Sequence, residues 1–219
     1  MSRLRLVLAS GSPARLRVLR SAGLDPEVIV SGIDESAVTA EIVPELALTL
    51  ARLKAEAAAD KLAAAEDAAP IPGGTPPPEP PGGTIVIGCD SLLELDGAAH
   101  GKPGNAAAAI ERWRRMSGRS GVLHTGHHVI VIERDRTRSR SEVCSTTVRF
   151  AELSAAEIEA YVATGEPLEV AGGFTIDGRG GAFITGLEGD HSNVIGISLP
   201  LLRTMLADLD VAWPRLWRP

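Results

Sequence analysis

Hydrophobic and polar positions alternate at the start of the chain and then change period repeatedly. Leu4 to Ala9 begins as an alternation and continues apolar, which predicts a strand. Ser10-Gly11-Ser12-Pro13 breaks it; Ser12 is a helix-capping type and Pro13 suits the first helical position. Leu16, Leu19 and Ala22 recur at helical spacing until Gly23 ends the helix. A short strand is predicted near Glu27–Ser31, then a loop through Gly32-Ile33-Asp34-Glu35. Leu46, Leu50, Leu53 and Ala57 form the stripe of a long helix from Pro44 to about Ala65. Thr84 to Cys89 predicts a buried strand ending at Asp90, and Leu92–Leu95 with the Asp96-Gly97 turn predicts a hairpin. Asn105 caps an alanine-rich helix carrying Ile110, Trp113 and Met116, which Gly118 stops. Gly121–Glu133 and Thr137–Phe150 alternate on either side of Arg134-Asp135-Arg136, a second hairpin. Ser154 and Glu157 form a capping box, and Gly165 closes the helix that follows. Gly172–Leu187 reads as two short strands around Asp177–Gly181, and a last helix runs from about Ser198 to Leu209. Hairpins mixed with crossovers predict an α/β fold of α+β character, with a mixed sheet flanked by helices.

Composition narrows the classes. Apolar residues are 44% of 219 and charged residues 23%, enough to build one core over residues 1–219. Asp67–Gly83 holds seven prolines and four glycines, so it is expected to be a surface insert, a spacer rather than a ligand for an SH3-like partner. Aromatics at 3% argue against gripping single-stranded nucleic acid by stacking, and a net charge of -6 against a general polyanion binder. Among the arginines of Arg112–Arg119 and Arg134–Arg140 interleaved aromatics are almost absent, so these stretches read as solvated faces and no specific nucleic-acid partner is expected. Two cysteines cannot make a disulfide framework, which points to a reducing cytoplasm. No apolar run approaches the ~18 residues a membrane span needs.

Three segments could carry chemistry. In Ser10-Gly11-Ser12-Pro13-Ala14-Arg15 a strand feeds a small-residue turn and a helix N-terminus, where free amides and Arg15 suit a phosphate; the alternative is an ordinary capped helix with Arg15 in solvent. In Gly88-Cys89-Asp90-Ser91 alternation turns Cys89 into the core and Asp90 towards a cleft, as general base, metal ligand or both; the alternative is a turn-forming aspartate at a hairpin entry. Gly97-Ala-Ala-His-Gly101-Lys102-Pro103 fails as a P-loop, because the glycines are too close and Pro103 stands where Ser or Thr would hold magnesium. Lys102 remains a phosphate candidate beside its alternative as a loop lysine. Of His124, His127 and His128, the middle one faces away from the others, against a zinc site. Asp190-His191-Ser192 lacks a nucleophile elbow and is not read as a triad.

Together these segments resemble the Maf family of nucleoside triphosphate pyrophosphatases. LASGSPARLRVLRSAGL is similar to its strand–S-x-S-P-R-R–helix signature, IGCDSLLELDGAAHGKP to its A-D-T…K-P segment, and the stretch from Leu153 to Leu202 to its C-terminal half. The resemblance implies an elongated mixed sheet in which two lobes flank a cleft. It implies hydrolysis of a nucleoside triphosphate to a monophosphate and pyrophosphate, a role in clearing non-canonical or modified nucleotides, a divalent metal (Mg or Mn) and a homodimer. Asp90 falls on the family's proton-acceptor position. Ser10, Ser12, Arg15, Lys54 and Lys102 fall on phosphate-binding positions, and Glu35, with Asp90, on the metal site. Ala14, Ser91 and Asp177 depart from the usual Arg, Thr and Gln at positions linked to base choice, which leaves the base open. The family's association with septum formation carries a second reading, a nucleotide-binding regulator of division without turnover.

Overall fold

A computed structural model describes residues 4–66 and 82–218; residues 67–81, most of the expected insert, lie outside it. β1 (Arg5–Leu8) runs parallel to β2 (Glu27–Val28) on one side and to β3 (Thr84–Leu95) on the other. β5 (Ser120–Glu133), β6 (Arg136–Phe150) and β7 (Ile184–Glu188) extend the sheet antiparallel in the order β2-β1-β3-β5-β6-β7, and β4 (Ala98–His100) folds back on β3. The mixed α/β class expected from the sequence is the one observed.

Helices cover both faces. α2 (Val43–Glu66) crosses β3 and β5 on one face. The chain comes close there because the sheet has two holes in its side-chain layer: a Cβ on Gly88 would sit 2.2 Å from the Ala51 carbonyl oxygen, and one on Gly126 2.3 Å from that of Ala47. Such an approach admits only small residues on the helix. The buried stripe is Ala47, Leu50, Ala51, Lys54, Ala55, Ala58 and Leu62, rotated from the predicted Leu46-Leu50-Leu53-Ala57 face. On the other face α1 (Pro13–Ser21) and α6 (Leu199–Asp208) pack with Leu6, Leu8, Ile85, Ile87, Cys89, Val129 and Val131. Further along that face α3 (Ala106–Met116) and α4 (Ala155–Ala163) enclose a second apolar cluster around Leu93, Leu123, Val148 and Trp113. α5 (His191–Ile195), a short helix capped by Asp190, lies near the boundary between them.

Two predicted elements differ. β3 does not end at Asp90; it continues to Leu95, with Asp90 paired opposite Gly126 and Ser91 opposite Thr125 in an unbroken ladder. A carboxylate is tolerated mid-strand because an ammonium answers it, as described below. Gly172–Leu187 holds one strand, β7, instead of two; it is preceded by tight turns at Ala171–Gly173 and Arg179–Phe183, with Gly172 and Gly173 in the left-handed region (φ 74° and 79°).

The ladder leaves a gap that positions the site. β5 occupies one side of β3 from Thr84 to Glu94, so β1 and β4 share the other side. β1 covers Thr84–Ile87 and β4 covers Leu93–Leu95. Between them the edge of Gly88–Leu92 has no strand partner among the described residues. The turn after β1 (Ser10–Ser12) and the loop after β4 (Gly101–Pro103) enter this gap from opposite ends. No helix among the described residues is long and apolar enough to cross a membrane.

Candidate active site

Asp90 and Ser91 are consecutive and therefore point to opposite faces of β3 at the gap. On the α2 face, Lys54 reaches down between the glycine contacts. Its Nζ lies 2.5 Å from Asp90 Oδ1 and 2.8 Å from Glu35 Oε1. Glu35 is delivered by a single 3₁₀ turn, Glu35–Ala37, whose start is fixed by Asp34 accepting from the Ser36 amide (3.0 Å). Lys54 and Asp90 are each only 7% exposed. Burial pushes the Asp90 carboxyl above its ordinary range, against the pull of Lys54 and Arg15.

On the opposite face, Arg15 stands in the first turn of α1, which Ser12 caps by accepting from the Arg15 amide (3.4 Å). The side chain is 8% exposed, so Arg15 is not a solvent residue on a plain capped helix. Its guanidinium donates to Ser10 Oγ (3.0 Å), Ser91 Oγ (3.0 Å) and the Gly196 carbonyl (2.7 Å). Ser91 Oγ also meets Thr125 Oγ1 at 2.9 Å. Ser10, Ser12, Arg15 and Ser91 are thus joined by direct contacts on one face of the strand edge and Lys54, Asp90 and Glu35 on the other, with the Asp90–Ser91 peptide bond between them.

Two expected residues are not in that contact set. Lys102 follows β4 towards the gap, but its ammonium is exposed and its nearest carboxylate is Glu169 at 3.5 Å. Asp177 meets Arg17 of α1 at 3.3 Å, a contact from the second apolar cluster's side to α1. The turn that carries Asp177 is held by Glu166, which accepts from Thr175 Oγ1 (2.5 Å), the Gly180 amide (3.0 Å), the Arg179 amide (3.1 Å) and the Tyr161 hydroxyl (3.1 Å).

The sequence reading missed Thr125, Asn193 and Gly196. Thr125 and Gly196 carry no local signal, because their partners are set by register and by a crossing helix. Asp190 does have a legible role: its carboxylate caps α5 by accepting from the Ser192 and Asn193 amides.

Cys89 lies in the core, as alternation predicts, and burial pushes its thiol up to about 12, which rules it out as a nucleophile at neutral pH. His127 is buried on the Arg15 face; its Nδ1 donates to the Thr125 carbonyl and its Nε2 accepts from the Ser198 amide (2.8 Å), which describes a neutral ring. Burial lowers its pKa to about 4. His124 and His128 turn to the other face and bond Ser145 and Ser141.

Among the described residues no group of three His, Cys, Asp or Glu side chains gathers to hold a metal unaided. Glu35 and Asp90 do place two carboxylate oxygens around one cation, the Lys54 ammonium. Two carboxylates completed by phosphate oxygens and water form a donor set suited to magnesium or manganese.

The Maf-like protein family model matches residues 5–209. A "Nucleoside triphosphate pyrophosphatase" of Salinispora tropica is 53% identical over 98% of this chain and 88% of its own. A protein of the same name from Streptomyces coelicolor is 54% identical over 99% of this chain and 96% of its own. Among solved structures, the Staphylococcus aureus Ham1 protein aligns at a TM-score of 0.45 and 14% identity, over 94% of this chain and 99% of that one, too loosely to bear on the site. A match that runs from β1 through the last helix, with half of all positions identical in full-length relatives, means that this chain belongs to the Maf family.

Proposed function

We propose that this protein hydrolyses the α–β phosphoanhydride of a nucleoside triphosphate, giving a monophosphate and pyrophosphate, with Asp90 as general base. The observation that carries the reading is the sheet gap, where the nearly buried Asp90 carboxylate lies against the Lys54 ammonium and the equally buried Arg15 guanidinium is held on the next residue, Ser91, across the strand. The relatives' shared name supports the substrate class.

The problem is to bring water against phosphorus surrounded by negative oxygens. The whole chain is acidic, at -6, and repels such a ligand diffusely. Local cations outweigh this: at 4 Å and an effective dielectric of ~20 one ion contact is worth about 4 kcal/mol before desolvation, while distant surface charge is screened beyond ~10 Å. Arg15 has five N–H donors and commits three of them to protein oxygens, leaving two hydrogens for phosphate oxygens. Lys54 supplies the second cation, Lys102 on the exposed loop after β4 would turn from Glu169 to the phosphate tail, and the Gly11 and Ala14 amides at the α1 N-terminus complete the cradle. Glu35 and Asp90 would hold the divalent metal, which when bound neutralises phosphate oxygens and polarises phosphorus. Asp90 takes a proton from water as the water oxygen bonds to the attacked phosphorus. The bond to the α–β bridging oxygen breaks and pyrophosphate departs with that electron pair. Two free thiols fit a reducing cytoplasm, and a homodimer belongs to the same reading, with sedimentation as its test.

The experiment is a panel of nucleoside triphosphates, including modified bases, assayed with Mg²⁺ or Mn²⁺ for pyrophosphate release. Asp90→Asn should lower kcat by roughly 10²–10⁴ and keep nucleotide affinity within a few-fold. Near-normal kcat in this variant removes Asp90 from its role; orthophosphate in place of pyrophosphate removes the reaction. The panel also ranks bases, with Asp177 and Ser91 as the residues to exchange.

A further inference from the structure

We infer that Thr125 is a positioning residue for the Arg15 guanidinium, acting through the hydroxyl of Ser91. The inference rests on the reading of Arg15 as a phosphate-binding group, and it follows from counting hydrogens.

An arginine side chain only donates. Ser91 Oγ, 3.0 Å from Arg15 Nη2, therefore accepts, and its own hydrogen must go elsewhere. Its other recorded side-chain partner is Thr125 Oγ1 at 2.9 Å. Thr125 accepts that hydrogen and gives its own to the Asn193 carbonyl at 3.2 Å. The two ends fix the directions, since a guanidinium only donates and a carbonyl only accepts: guanidinium to Ser91, Ser91 to Thr125, Thr125 to the α5 backbone. Bonds arranged head to tail polarise one another, most effectively in a dry interior.

The far end is anchored by several bonds. Asn193 is fully buried; its Nδ2 donates to the Leu123 carbonyl (3.2 Å) and to Thr146 Oγ1 (3.0 Å), and its amide to Asp190 (3.2 Å). Three residues later the same segment presents the Gly196 carbonyl to Arg15 Nε. A Cβ at Gly196, whose φ is +123°, would come within 3.1 Å of that nitrogen. The α5 segment thus holds the guanidinium twice, once directly and once through the two hydroxyls. Thr125 itself is fully buried, so it acts by position.

Valine matches threonine in shape and lacks the hydroxyl. Thr125→Val leaves the Ser91 hydrogen without its partner, leaves the Asn193 carbonyl only the Gly196 amide (2.9 Å), and frees Ser91 to turn from Arg15. KM for the nucleotide should rise about tenfold, and competitive inhibition by pyrophosphate should weaken about equally, with kcat changed less. Thr125→Ser should restore both within about twofold. In a Ser91→Ala background, Thr125→Val should add little, because the link is already cut. Should valine be poorly accommodated, the Ser and Ala variants at 125 pose the same question. Three results overturn the inference: a lower Tm with unchanged KM, no rescue by serine, or independent addition of the two substitutions. Arg15→Ala separates the levels. If it leaves KM unchanged, the phosphate role of Arg15 fails and this inference fails with it; if it raises KM while Thr125→Val does not, only the link is wrong.

Discussion

At the scale of single residues, Asp90 is held between opposing influences. Removal from water favours its neutral form; the neighbouring Lys54 and Arg15 favour the charged one, and the balance leaves its pKa above 3.8. A general base must be ionised, so the sign for activity is definite: kcat/KM should fall as pH drops through the raised value, and the acid limb should lie above 3.8. The sign for stability is opposite. A carboxyl raised in the folded state takes up its proton more readily there than when unfolded, so its protonation favours the fold. Protonation of Asp90 should therefore remove activity without itself loosening the fold; circular dichroism over the same pH range separates the two, and activity that falls only together with the folded signal would contradict it. Arg15 was legible because it follows a strand and a small-residue turn, and Asp90 because it is a carboxylate at the end of a buried apolar run. Lys54 and Glu35 came only through the family signature, since a lysine on a helix and a glutamate in a loop have no spacing of their own. Thr125 was not legible, because its partner lies 34 positions away across the ladder.

At the scale of elements, helix α2 and the sheet are fitted by subtraction. Gly88 and Gly126 lack side chains where the helix backbone passes, and the helix answers with Ala47, Ala51, Ala55 and Ala58. Lys54 sits among these alanines, so the depth of its ammonium depends on the absence of two Cβ atoms. Gly88→Ala should force α2 outward, destabilising the protein by about 1–3 kcal/mol as overpacking generally does. The same shift should lengthen the Lys54–Asp90 contact and lower kcat/KM under conditions where the variant is fully folded. Denaturant titration and kinetics on one preparation check both parts; full activity with reduced stability would uncouple the helix from the site. The sequence made helix ends plain, since Ser12, Asn105 and Ser154 each cap where expected. It misplaced the buried face of α2, because leucines dominate a periodicity count and a glycine-backed groove prefers alanine. Asp90 likewise looked like a strand terminator only while its counter-charge, 36 positions away, was out of sight.

At the scale of the molecule, two apolar clusters share one face of the sheet and are divided by a polar belt: Ser91 and Thr125 from the strands, with Asn193 and Arg15 above them. The edge gap opens beside that belt. Arg15 is anchored to Ser91 and Lys54 to Asp90, so the two cations stand on opposite sides of a single strand with one peptide bond between their anchors. This arrangement is a caliper. Its jaws are spaced by the thickness of a β-strand, and whatever closes both must be long enough to pass round the unpaired rim of β3. Pyrophosphate should therefore inhibit turnover at concentrations at least about tenfold below those of orthophosphate, in keeping with one extra charge-assisted contact. Equal potency would mean that the jaws close on nothing in common. Length, on this geometry, is sensed before the base is read.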